Sequence, residues 1–171
     1  SIGSELLLGQ IVDTNAAWMA QRLTDAGVNM FYKSIVGDNP GRMREVIGQA
    51  LERSDVVITG GGLGPTQDDL TREVIAQVTG RELVTDPRLL EQIQTRFQRR
   101  GLIMTANNER QALIPKGAIT VDNPNGTAPA FVVEDPRGVI YALPGVPFEL
   151  KWLFDNELLP YLRKKFSLSE T

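Results

Sequence analysis

Residues 59–71 read TGGGLGPTQDDLT and hold the residue types best suited to chemistry. Gly60, Gly61, Gly62 and Gly64 leave a bare backbone that can approach a ligand closely, and Asp68 and Asp69 follow within a few residues. Between a strand and a helix, exposed amides and the positive end of the helix dipole favour a phosphate or other anion. Two carboxylates beside such a cradle repel the anion unless a cation lies between them. The physical inference is a phosphate bridged to aspartate by a divalent metal. The plainer alternative makes Thr66 a helix cap, with Asp69 three residues on as in a loose capping box. Both acids would then only complement the helix dipole, at roughly 0.3–1 kcal/mol each. Capping does not account for four glycines. The stretch matches neither G-x-G-x-x-G nor G-x-x-x-x-G-K-[ST], so a Rossmann dinucleotide site and a Walker loop are unsupported.

Composition narrows the chemistry further. The 171 residues include no histidine and no cysteine. A Ser-His-Asp site, a cysteine nucleophile and a Cys/His zinc site are therefore impossible. Catalysis would fall to carboxylates, Lys or Arg, hydroxyls and backbone amides, and any metal would be a hard cation on oxygen ligands. The net charge of −3 is spread without a block of like charges, so neither nucleic acid nor a membrane surface is an expected partner. No apolar run approaches ~18 residues, and no secretory signal is visible. A cytoplasmic location is the expectation.

The elements that must position these residues alternate. Residues 15–26 predict a helix with Ala16, Met19, Ala20 and Leu23 on one face and Gly27 after it. VNMFYKSIV (28–36) predicts a strand. Asn39 and Pro40 open a second helix with Met43, Val46, Ile47, Ala50 and Leu51 as its stripe. DVVIT (55–59) predicts a strand buried on both faces. The glycine loop follows, then a helix marked by Leu70, Val74, Ile75 and Val78. A helix over 86–100 comes next, then strands near 118–121, 130–134 and 139–143, the last two joined by the turn DPRG. A final helical stretch is divided by Pro160. This order predicts one α/β domain over 1–171 with a parallel sheet covered on both faces. Ile2 and Gly3 read as the tail of a strand whose start is absent.

Six blocks occur in order: GSELLLGQIVDTN (3–15), VGDN (36–39), TGGGLGPTQDDLT (59–71), NNERQALIP (107–115), NPNGTAPAF (123–131) and LPGVPFELK (143–151). Together they closely resemble the N-terminal domain of the competence/damage-inducible protein A (CinA) family, within the MoaB/MogA molybdopterin-binding superfamily. The resemblance spans nearly the whole chain. It implies a three-layer α/β/α fold with a mostly parallel sheet plus a β-hairpin. It implies that Gly61, Gly62 and Gly64 hold the phosphate or pterin end of a ligand. Asp69 matches the aspartate linked to Mg²⁺-dependent adenylyl transfer, with Asp68 as an extra neighbour. The implied activity is cleavage of the pyrophosphate of ADP-ribose or a similar nucleotide diphosphate, with Mg²⁺, Mn²⁺ or Co²⁺ and with potassium. Adenylylation in molybdopterin maturation and a non-catalytic nucleotide-binding or assembly module are the alternatives. The family's C-terminal deamidase activity is not expected from these residues. A homo-oligomer, dimer or trimer, is the expected assembly. The family usually reads Thr-Gly-Gly-Leu-Gly; the added glycine here predicts the same loop with more freedom.

Other candidates are more ambiguous. Ser4 and Glu5 follow Gly3 at an expected strand end, where Glu5 either faces the ligand and joins Asp69 on the metal or serves as a surface or capping acid. Asp13, Thr14 and Asn15 cap a helix or face the same pocket; Asp38 and Asn39 are read as caps. Asn107, Asn108 and Arg110 are a solvated loop, or else two amides for a base or ribose and a guanidinium for phosphate. Residues 125–128 are a turn, or a second pocket wall in which Gly126 and Thr127 meet the ligand. Gly145 sits in the Pro-Gly-Val-Pro start of the last helix, whose amides could also hold phosphate. Glu149 is read as dipole compensation rather than a metal neighbour, and Trp18 and Trp152 as packing residues.

Overall fold

The longest apolar runs fix the centre of the molecule. The computed structural model describes residues 1–9 and 12–168. It pairs β1 (Val56–Gly60), β4 (Ile119–Val121), β5 (Ala130–Asp135) and β6 (Gly138–Leu143) into one sheet of order β1-β6-β5-β4. Side chains alternate across a strand. Val132, Val139, Tyr141 and Leu143 accordingly join one core cluster, and Phe131, Val133, Ile140 and Ala142 join another. Both clusters are roofed by helices, which is why β5 and β6 are apolar on both faces. On the first, α2 (Thr14–Asp25), α7 (Pro147–Leu153) and α8 (Leu159–Phe166) place Met19, Leu23, Leu150, Leu153 and Leu162. On the second, α3 (Pro40–Arg53) and α4 (Thr71–Val78) place Met43, Ile47, Leu51, Val74 and Ile75. The expected three-layer α/β/α arrangement is present.

Helix starts follow their caps. Asn39 accepts from the Arg42 N–H ahead of α3, and Asp86 accepts from Arg88 and Leu89 ahead of α5 (Pro87–Arg99). Proline occupies the first turn of both helices. α5 packs Leu89 and Ile93 with Ala112 and Ile114 in a third, smaller cluster. It lies beside a separate antiparallel pair, β2 (Leu83–Thr85) and β3 (Leu113–Pro115), whose three-residue strands the sequence reading does not anticipate.

The structure corrects several expectations. The sheet is mixed rather than mostly parallel: β1 runs parallel to β6, but β5 is antiparallel to both β6 and β4. The cause is connection length. The tight Asp135–Gly138 turn can join only antiparallel neighbours, whereas β1 and β6 are joined by a long crossover. Residues 28–36 form no named strand; their one bridge is the parallel Ile2–Val36 pair, and Phe31 is 79% exposed. Strand propensity expresses packing against neighbours, and here the backbone pairs with Ser1–Gly3 at its end and with Leu23 at its start, not with a strand along its length. Ser4 and Glu5 lie not on a strand end but in the single turn α1 (Ser4–Leu7). Thr66 does not cap α4, which starts at Thr71 after Leu70 with no side-chain cap. Pro160 interrupts the last helix through a π turn over Phe154–Leu158 rather than a break.

Candidate functional site

The glycine loop leaves β1 at its carboxyl end, the edge where open α/β sheets bind ligands. Gly60, read as part of the loop, is the last residue of β1 and pairs with Leu143. Gly61 and Gly62 adopt positive φ values of 109° and 71°. A Cβ on Gly61 would overlap Ile2 O, and one on Gly62 would overlap Thr71 Oγ1, so neither position admits a side chain. The carbonyls of the loop are turned into the protein. Ile2 N–H donates to Gly60 O, Thr71 Oγ1 to Gly61 O at 2.9 Å and Thr71 N–H to Gly62 O at 3.2 Å. Arg72 donates to Leu63 O and, at 3.3 Å, to Gly64 O. The Gly61 N–H is spent on Leu143 O. No described residue accepts from the N–H groups of Gly62, Leu63 or Gly64, which leaves three successive amides for a ligand.

Arg72 is the charge beneath this loop. It is 2% exposed, and burial pushes its guanidinium down to about 10, against the raising influence of Glu73 and Asp69. It therefore stays cationic at neutral pH. A cavity of about 460 Å³ opens beside the loop. Its walls include Gly60–Pro65, the Pro144–Pro147 corner after β6, and four carboxylates: Glu5, Asp13, Asp69 and Glu149. Asp69 Oδ2 accepts from Thr66 N–H at 2.9 Å and Thr66 Oγ1 at 2.6 Å, and its Oδ1 takes no hydrogen bond from a described residue. Glu149 Oε2 accepts from Asn123 Nδ2 at 2.9 Å, and Gly126 packs directly against this carboxylate.

Among the described residues no three acids gather into a preformed metal cluster. Mg²⁺ does not require one: it binds through one or two carboxylates, waters and the ligand's own phosphates. A single free oxygen of Asp69 beside an amide cradle fits that pattern, and Glu5 is the second carboxylate that could share it.

The predicted residues divide. Glu5, Gly61, Gly62, Gly64, Asp69, Thr127 and Gly145 all line this cavity. Asp68 is exposed and outside it, as is Asn107. Ser4 is tied to Asp38 in both directions, its N–H to Oδ2 at 3.0 Å and its Oγ accepting from the Asp38 N–H at 3.1 Å. Asn108, in α6 (Ala106–Glu109), takes up the Thr105 N–H and hydroxyl. Arg110 reaches Thr66 O at 2.9 Å and Glu73 Oε1 at 2.7 Å, so it braces the loop from outside the cavity. Thr66 and Gly126 likewise sit behind the lining, next to Asp69 and Glu149. Sequence reasoning missed Arg72, Gln111 and Asn123, all buried. The spacing of Arg72 three residues before Ile75, on the apolar side of α4, is a usable signal; no pattern marks the other two.

The family of this chain follows from comparison. A model of the probable molybdopterin binding domain matches residues 1–164. The crystal structure of CinA from Thermoplasma acidophilum superposes with a TM-score of 0.85 at 33% identity, covering 96% of this chain and 93% of that one. The chain belongs to the CinA family. Putative competence-damage inducible proteins of Halothermothrix orenii and Acetivibrio thermocellus are 49% and 48% identical over 168 and 165 residues. This CinA-type domain spans 98% and 96% of its own length in those matches but about two-fifths of the relatives' length, 41% and 40%. The molybdopterin biosynthesis enzyme MoaB from Thermus thermophilus shares the fold at a TM-score of 0.66 and 20% identity, over 98% of this chain and 91% of that one. No helix among the described residues of the CinA-type domain is long and apolar enough to cross a membrane.

Proposed function

We propose that this domain binds the diphosphate of ADP-ribose or a similar nucleotide diphosphate and hydrolyses it with a divalent metal. The observation that carries this reading is the glycine loop itself: its carbonyls are held inward by Thr71 and Arg72 while three amides are left over. Those amides take the oxygens of one phosphate, and the Arg72 charge beneath them raises the local positive potential. Asp69 Oδ1 and Glu5 would hold Mg²⁺, Mn²⁺ or Co²⁺, which supplies Lewis-acid polarisation of a phosphoryl oxygen when bound. Water adds to one phosphorus, the bridging P–O bond breaks, and AMP and ribose 5-phosphate leave. The chain has no histidine, and a cavity carboxylate is placed to receive the water's proton. Glu149, steadied through one oxygen by Asn123, is the candidate.

The test is incubation of ADP-ribose with each metal, in potassium and in sodium buffer, with AMP as readout. AMP formation lost in Asp69→Ala is the expected result; unchanged turnover in that variant rejects the assignment. A second reading, adenylylation of a pterin, is favoured by the family description matched over residues 1–164. Adenylylated molybdopterin formed from ATP would replace the hydrolase reading. Binding without product would make the domain a nucleotide-binding module.

A further inference from the structure

Two carboxamide oxygens of the cavity walls lack a donor. Gln111 is 1% exposed, and its Oε1 is buried with no partner among the described residues. Asn15 donates through Nδ2 to Gly145 O at 2.8 Å, which fixes its amide, because a flip would set two oxygens against each other. Its Oδ1 is therefore an acceptor, and it too is buried without a partner among the described residues. Buried polar atoms in native proteins are almost always paired. An exception on a cavity wall marks a place that a ligand completes. Phosphate oxygens cannot complete the Asn15 acceptor, since they also accept; the Gln111 amide, fixed by no hydrogen bond among the described residues, can present either end. The donors must come from the part of the ligand attached to the diphosphate, and sugar hydroxyls supply neutral donors there.

We propose that Gln111 and Asn15, both on the cavity wall, determine specificity by hydrogen bonding the hydroxyls of a sugar attached to the diphosphate, which can both donate and accept. This rests on the nucleotide-diphosphate reading and adds which half of the ligand the cavity selects. Gln111 sits in the 3₁₀ turn Arg110–Ala112, and Arg110 is bonded to Thr66 O. The backbone at Gln111 is thereby tied to the phosphate loop through its neighbour.

Gln111→Met removes the amide at similar volume, and Gln111→Leu serves as a second variant of different shape. Calorimetry with Mg²⁺ compares ADP-ribose with inorganic pyrophosphate, alongside thermal unfolding. The expected result is a Tm at or above that of the parent, because an unpaired buried polar atom has gone. ADP-ribose should bind about 10-fold more weakly, the effect of one hydrogen bond, and pyrophosphate should bind unchanged. Equal weakening for both ligands, as a cation held by the amides would give, overturns the proposal. So does a lowered Tm with unchanged ADP-ribose affinity in both variants. Binding to the parent without AMP formation rejects hydrolysis but leaves the Gln111 comparison decisive; no binding of ADP-ribose to the parent overturns both.

Discussion

Asp69 and Thr66 are joined twice, through the Thr66 N–H at 2.9 Å and its hydroxyl at 2.6 Å, and both bonds end on the same carboxylate oxygen. One oxygen of Asp69 closes the loop and the other is left for the cavity. The two duties can be separated. Thr66→Ala should cost about 1 kcal/mol of stability through one lost hydrogen bond while AMP formation stays within about 5-fold. Asp69→Asn, which keeps the shape but not the charge, should lower AMP formation by about 100-fold or more, the scale of a lost electrostatic contact to the transition state. Turnover assays paired with thermal unfolding check both. Equal turnover losses in the two variants would mean that Asp69 acts only through loop geometry.

The loop's conformation should be intolerant of a single methyl. Gly62 has a φ of 71°, and a Cβ there would overlap the Thr71 hydroxyl that fixes Gly61 O. Gly62→Ala should therefore cost about 2–4 kcal/mol, combining left-handed strain with a core clash. Gly48 lies inside α3 with nothing near a built Cβ. Gly48→Ala should stabilise by about 0.5–1 kcal/mol. Denaturant unfolding of the two variants gives opposite signs if the loop backbone is as constrained as its contacts require.

Arg72 should matter to both fold and ligand. Its guanidinium ties Leu63 O and Gly64 O, and its charge is buried beneath the loop that lines the cavity. Arg72→Met fills much of the volume but frees two carbonyls, one buried and one half-buried, so a loss of about 2–4 kcal/mol is expected. Pyrophosphate affinity should fall by about 10-fold or more through the lost field and the looser loop. Calorimetry at temperatures where the variant is fully folded separates these effects. Undiminished affinity there would show that Arg72 serves stability alone.

The fold was legible where burial is two-sided or a cap is explicit. Asn39-Pro40 and Asp86-Pro87 start helices where expected, and β5 and β6 stand out as apolar runs around the Asp135–Gly138 turn. The antiparallel β5–β6 pair was legible from its DPRG turn; the direction of the other pairs was not, because periodicity reports faces and not neighbours. The run 28–36 misled for the same reason: its β-branched and aromatic residues need a partner along their length, and only Val36 finds one. At the site, the glycine loop and Asp69 stood out because capping alone does not account for four glycines; the packing of Ile2 O and Thr71 Oγ1 against Gly61 and Gly62 was not legible. Arg110 looked equally functional, yet its partners are Thr66 O and Glu73, contacts across 44 and 37 residues that no local pattern encodes. Gln111 escaped because a polar residue in a short irregular segment looks solvated until tertiary packing buries it.

A final prediction concerns acid stability at the edge where α8 meets β5. Tyr161 donates to Glu134 Oε1 at 2.7 Å, and Lys165 lies 3.1 Å from Oε2. The Tyr161 bond first and the Lys165 contact second hold the Glu134 carboxyl below its usual 4.5. Burial and the same bond push the Tyr161 phenol upward, so it remains a donor through neutral and mildly alkaline pH. A carboxylate with a depressed folded-state pKa binds fewer protons folded than unfolded. Its contribution is therefore complete above pH 4.5 and is lost as pH falls through the lower, folded value. Tyr161→Phe removes the larger cause. The Glu134 pKa should move back toward 4.5, and the fall in stability between neutral and acid pH should become shallower. Carboxyl titration by NMR on both proteins measures the first, and urea unfolding over the same pH series measures the second. An unmoved Glu134 titration in Tyr161→Phe would assign the depression to Lys165 instead.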